Sequence, residues 1–137
     1  MTEAMNFFQS IFMFKSFTPI SISKAEIELA VSLKSEARKL AAIAGEEMLN
    51  GQKAQVLAFE AADKDKTRIF AEIAVWHHNR AQEKYRKSAA RFEEAGKIQT
   101  AKRKAFNSMS KEMTRRGAEA ESAVNLLNDF LKQNEEK

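Results

Sequence analysis

From Ile20 to the C-terminus the chain contains no second proline. A proline inside a helix removes a hydrogen bond and costs about 3 kcal/mol, so its absence leaves helices free to be long. The same run is filled with the residue that helix formation favours most. Of 22 alanines, 21 lie between Ala25 and Ala123, and alanine loses no side-chain freedom on entering a helix. Valine is scarce and tyrosine occurs once, so strand formers are missing. The pattern predicts an all-α protein: an elongated antiparallel helical bundle of three to four helices with coiled-coil-like, alanine-rich seams. A length of 137 residues suits one domain.

Local signals place the helices. Ser23-Lys-Ala-Glu26 matches a capping box, in which the serine hydroxyl and the glutamate side chain satisfy each other's backbone amides. Ala30, Leu33, Ala37, Leu40, Ala44 and Met48 then recur at threes and fours, a seam of small residues built for close approach. Asn50-Gly51 predicts the end of that helix, since both residues tolerate the left-handed conformation. Ala62 to Thr67 (ADKDKT) predicts an interruption, with Asp63, Asp65 or Thr67 capping a new start. Beyond it Phe70, Ala74, His77, Ala81, Tyr85, Ser88 and Phe92 form the next stripe. A turn is expected near Gly96 and a break or kink at Gly117, where Lys111, Arg115 and Arg116 precede the glycine and Glu119 and Glu121 follow it. The last helix sets Ala120, Ala123, Val124, Leu127 and Leu131 on one face. The expected organisation is a Phe-rich docking segment and connector (1–22), a bundle (23–133) and a frayed tail (134–137).

The first segment is unlike the rest. Residues 4–14 carry no charge, and Phe7, Phe8, Ile11, Phe12, Phe14 and Phe17 crowd into the first seventeen positions. Phe7, Phe8, Ile11, Phe12 and Phe14 share one arc of a helix. A membrane-surface helix carries lysine and arginine on its polar face, whereas this one offers Asn6, Gln9 and Ser10. A secretory signal needs a positive start, but Glu3 comes first here and no cation precedes the apolar run. The expected use is docking on an apolar groove of the same chain, of an identical subunit or of a target protein. Membrane anchoring by residues 4–17 is the third reading, and a cytoplasmic location is expected.

Catalysis finds little support. Cysteine is absent, which excludes disulfides, zinc-thiolate sites and thiol chemistry. His77 and His78 are adjacent, so on a helix their rings point about 100° apart and cannot grip one ion. His77 is expected in the helix seam, with Trp76 or His78 turned to a second neighbour. Asp63-Lys-Asp-Lys-Thr resembles the start of a calcium loop, but Arg68 stands where that loop needs glycine and Ala74 where it needs glutamate. Glu46-Glu47 and Glu93-Glu94 read as solvated helix faces. No enzyme, metal or cofactor is expected.

Charge is segregated. Residues 80–116 hold twelve cations (Arg80, Lys84, Arg86, Lys87, Arg91, Lys97, Lys102, Arg103, Lys104, Lys111, Arg115 and Arg116) against four acids. That segment is +8 in a chain of net charge +4, leaving −4 elsewhere. The expected function is a non-catalytic protein–protein role as scaffold, adaptor or inhibitor, with self-association first and another protein second. The alternative is a nucleic-acid-binding accessory protein using the basic segment.

Overall fold

The computed structural model describes residues 22–136. Among them every element is helical: α1 (Lys24–Glu60), α2 (Lys64–Ile98), a single 3-10 turn (Thr100–Lys102) and α3 (Arg103–Glu135). The expected aromatic contact residues Phe7, Phe8, Ile11, Phe12, Phe14 and Phe17 lie outside the described residues.

The starts of α1 and α2 follow their sequence signals. Ser23 Oγ accepts from the Glu26 amide, and Glu26 Oε1 accepts from the Ser23 amide, both at 3.1 Å. Asp63 caps α2, accepting from the Asp65 amide at 2.8 Å, and the Thr67 hydroxyl donates back to the Asp63 carbonyl at 3.0 Å. The α1–α2 connection is therefore residues 61–63 alone, short enough to force the two helices antiparallel.

α2 is the central helix. It packs along both α1 and α3, while α1 and α3 hardly approach each other. The α1–α2 seam is made of small residues at strict seven-residue spacing. Ala30, Ala37, Ala44, Gly51 and Ala58 are buried on α1; Thr67, Ala74, Ala81, Ser88 and Ala95 are buried on α2. One hydrogen bond marks their register: Ser88 Oγ donates to the Ala37 carbonyl at 2.7 Å. Counting sevens from that pair sets Ala30 opposite Ala95, Ala44 opposite Ala81, Gly51 opposite Ala74 and Ala58 opposite Thr67. A seven-residue period keeps two helices facing each other because each turn is drawn in to 3.5 residues. Side chains this small bring backbone near backbone, as a hydroxyl reaching a carbonyl across the interface requires.

Larger side chains fill the wedge between α1 and α3. Tyr85 and Phe92 of α2 and Phe106 and Met113 of α3 are buried there with the alanines, and Phe92 and Phe106 stack at 6.4 Å. At the other end Leu127 is fully buried, and Phe59 of α1 meets Phe130 edge-on at 4.9 Å.

Three expectations fail for one reason: a residue's role is set by the helix opposite it. Asn50-Gly51 does not end α1, which continues to Glu60. Gly51 is buried, and a Cβ built on it would lie 2.8 Å from the His78 ring. Gly117 neither breaks nor ends α3; it is buried against Tyr85, Arg86 and Gln82 of α2. His77 does not occupy the seam. His78 does, 1% exposed, while His77 stays half-buried and Trp76 is exposed. The turn expected near Gly96 is present, but α2 runs on to Ile98 and Gly96 instead lets Phe106 approach, with 3.1 Å from a built Cβ to the Phe106 Cβ.

Candidate interaction surfaces

α3 meets α2 along its Gln82–Tyr85–Arg86 edge. The opposite edge of α2 faces α1 in a flank open to solvent, and two ion-pair sites mark it. Arg91 of α2 reaches Glu36 of α1 at 3.2 Å. Further along, Glu47 of α1 is buried and held twice: His77 Nδ1 lies 2.8 Å from Oε1, and Arg80 Nε donates to Oε2. Burial pushes the Glu47 carboxyl up, but the hydrogen bonds from Arg80 and His77 pull harder and leave it below the usual carboxylate range. The Arg80 guanidinium lies 4.8 Å over the Trp76 ring, which meets His77 edge-on at 4.9 Å. Tandem Glu46-Glu47 looked like a solvated face. Counting the small-residue heptads of α1 against those of α2 would have placed Glu47 beside His77.

Heptad positions shared with Glu36 and Glu47 give this flank a second α1 seam, of large residues. Leu29, Leu33, Leu40, Ile43 and Leu57 occupy it, with the two acids in its gaps. Leu33 and Leu40 are half-buried, but Leu29, Ile43 and Leu57 are 51, 43 and 48% exposed. On α2 Ile73 and Trp76 add exposed apolar surface near the same flank.

His78 faces inward, with Nδ1 3.4 Å from Met48 Sδ and Nε2 buried with no hydrogen-bond partner among the described residues. Burial first, then the neighbouring His77 charge, pushes its pKa below the ordinary histidine value. Among the described residues no three histidine or acidic side chains converge as a metal site would require, and no helix there is long and apolar enough to cross a membrane. The recess between α1 and α3, ≈ 490 Å³, is lined by Ala41, Phe92, Met109 and Met113 with Arg38 and Glu112 at its rim.

The basic segment divides in two. Arg80 and Arg91 are used on the flank. Arg86 pairs with Glu121 at 3.3 Å and Lys87 with Glu83 at 3.5 Å. Arg115 and Arg116 converge on Glu112, whose carboxyl they pull down to about 2; these groups are exposed, so the pairing adds little stability. Lys84, Lys97, Lys102, Arg103, Lys104 and Lys111 have no carboxylate partner among the described residues. All but Lys84 gather at the α2–α3 turn. Arg103, Lys104 and Lys111 line a recess of ≈ 620 Å³ there, with Thr100, Asn107 and Ser108.

No family model, no curated protein and no solved structure matches the chain.

Proposed function

We propose that the chain is a non-catalytic protein–protein interaction protein, a scaffold, adaptor or inhibitor, working through coiled-coil-like helical surfaces and associating with itself. The observation that carries this reading is the second seam of α1. A helix that has already buried a stripe of alanines against α2 presents Leu29, Ile43 and Leu57 to solvent on another stripe. Exposed apolar residues in a line, edged by charge, are what an interaction surface looks like before its partner arrives. Elution with mass detection at about 50 mM and about 500 mM salt tests the reading. A mass above the 15.5 kDa of one chain that holds or grows with salt is expected, since salt strengthens apolar burial. A mass of one chain at both salts removes self-association.

A second reading draws on the cations at the α2–α3 turn that have no carboxylate partner among the described residues: the recess lined by Arg103, Lys104 and Lys111 would take a phosphate-rich polyanion. Reversing Lys102, Arg103 and Lys104 to Glu leaves the helices intact, because all three side chains are exposed. Retention on polynucleotide at low salt should then fall by an order of magnitude or more. Equal retention of the triple variant takes the site away from this reading.

A further inference from the structure

The gap between α1 and α3 is closed at one end, where Phe59 meets Phe130. Toward the other end it holds the recess over Phe92, with Met109 and Met113 as its α3 wall. The α1 wall continues in sequence toward the start of the helix. Ile27 stands two heptads before Ala41 and Val31 one heptad before Arg38, so both share the recess's side of α1, and they are 38 and 58% exposed. We propose that residues 4–17 of the same chain lie in this groove as a fourth helix, antiparallel to α1. The groove is a different face from the Leu29–Leu57 seam, so the proposal stands apart from the self-association read above.

Reach, charge and tether choose this occupant. The seam register sets Ala30 opposite Ala95, so α1 starts beside the end of α2, where α3 also starts, and residue 22 enters at the mouth of the groove. Arg38 and Ala41 lie 15 and 18 residues beyond Ser23, about 22 and 27 Å along the helix. Residues 4–17 as a helix span about 21 Å, and residues 18–22 extend to about 16 Å, enough to turn back. That direction brings Phe7 and Phe8 to Met109 and Met113, and Phe14 to Ile27. The border of the groove is charged, with Lys34 and Arg38 on α1 and Lys104, Lys111 and Glu112 on α3. Residues 4–14 carry no charge, so they set no cation against that border, and their rings offer faces for its cations to lie over. Lys34 shares the column of Ile27 and Ala41; its stem lines the groove while its ammonium stays at the rim. A segment tied on by five residues acts at an effective concentration on the order of millimolar, which a second copy at micromolar concentration does not match.

Two experiments on the full chain decide it. The chain has no cysteine, so introduced thiols report unambiguously. Phe8→Cys with Ser108→Cys, on the recess wall, should oxidise to a disulfide within one chain of 15.5 kDa. Phe8→Cys with Ile43→Cys, on the opposite flank of α1, should not. Absence of that disulfide in the first pair, or equal yields in both pairs, overturns the proposal. Disulfides at twice the chain mass in the first pair overturn it in favour of the segment of a second copy. In the second experiment Ser108→Cys alone should be alkylated at least about 10-fold more slowly than Ser122→Cys, two heptads further along α3 and beyond the reach of the segment. Adding Phe8→Ser and Phe12→Ser should erase that difference and lower the melting temperature by at least about 5 °C, with the three helices retained by circular dichroism. Equal alkylation at the two positions overturns the proposal and leaves the segment to a foreign partner. A melting temperature unmoved by the serine substitutions overturns it too, since the rings would then make no contact in the chain.

Discussion

A methyl group added at position 51 has no room. The His78 ring lies 2.8–3.0 Å from where it would stand, whereas at position 117 the nearest atoms are 3.5–3.7 Å away, ordinary contact. Both glycines sit inside helices, where alanine is favoured by up to about 1 kcal/mol. At Gly117 that preference acts unopposed, so Gly117→Ala should raise stability by about 0.5–1 kcal/mol. At Gly51 overpacking of about 1–3 kcal/mol opposes it, so Gly51→Ala should lower the melting temperature by about 4 °C; an increase would show that the His78 ring swings aside freely. The same ring predicts a pH dependence. Its folded pKa is depressed below 6.5, so below about pH 6.5 the unfolded chain binds more protons than the folded one. Stability therefore falls as pH drops from 6.5 toward the folded pKa and levels off beyond it. Glu47, also depressed, adds its own loss only below the ordinary carboxylate value of 4.5. Thermal melts between pH 7.5 and 5.5 should show the slope, and His78→Leu should flatten it.

At the scale of the helices, the small-residue ladder sets how close α1 and α2 approach. Ala44 and Ala81 oppose each other fully buried, so Ala44→Leu should drive the helices apart and cost about 2 kcal/mol. Ala42→Leu, two residues away on an exposed face, should stay within about 0.5 kcal/mol of the parent; urea midpoints compare the two. What was legible beforehand was local. The Ser23–Glu26 box and the Asp63 cap act within four residues of chain, so the chain announces them. The failures were non-local: Gly51 and Gly117 look like helix ends until the helix opposite them is known. The stripe Phe70, Ala74, His77 and Ala81 has the right seven-residue period but the wrong column beside the small residues, because α3 also packs on α2, with Gly117 against Tyr85 and Phe106 against Phe92. Helix α2 thus buries Ala71, His78, Tyr85 and Phe92 beside Thr67, Ala74, Ala81, Ser88 and Ala95, a choice only the second neighbouring helix could make. The flank was hidden for the same reason, since Leu29 and Ile43 become a surface only once the alanines have claimed the other stripe.

For the molecule as a whole, the proposed self-association would tie stability to concentration. Each tenfold rise in protein should raise the melting temperature by a few degrees, and Ile43→Lys should melt at one temperature throughout. A parent chain whose melting ignores concentration contradicts the association. The ladder that brings α1 and α2 together also carries an ambiguity of its own. Slide one helix along the other by seven residues, about 10 Å, and small residues again meet small: Ala44 would face Ser88 in one direction and Ala74 in the other. The seam is a smooth track with several equivalent stops. Two features choose among them. Residues 61–63 leave too little slack for the shift, and His78 acts as a detent, for in the shifted alignments it meets Ala58 or Ala44, and only at Gly51 does the track have a notch. Alignment of the helices is thus decided by shape at one ring and one missing methyl, while adhesion along the seam is nearly indifferent to it.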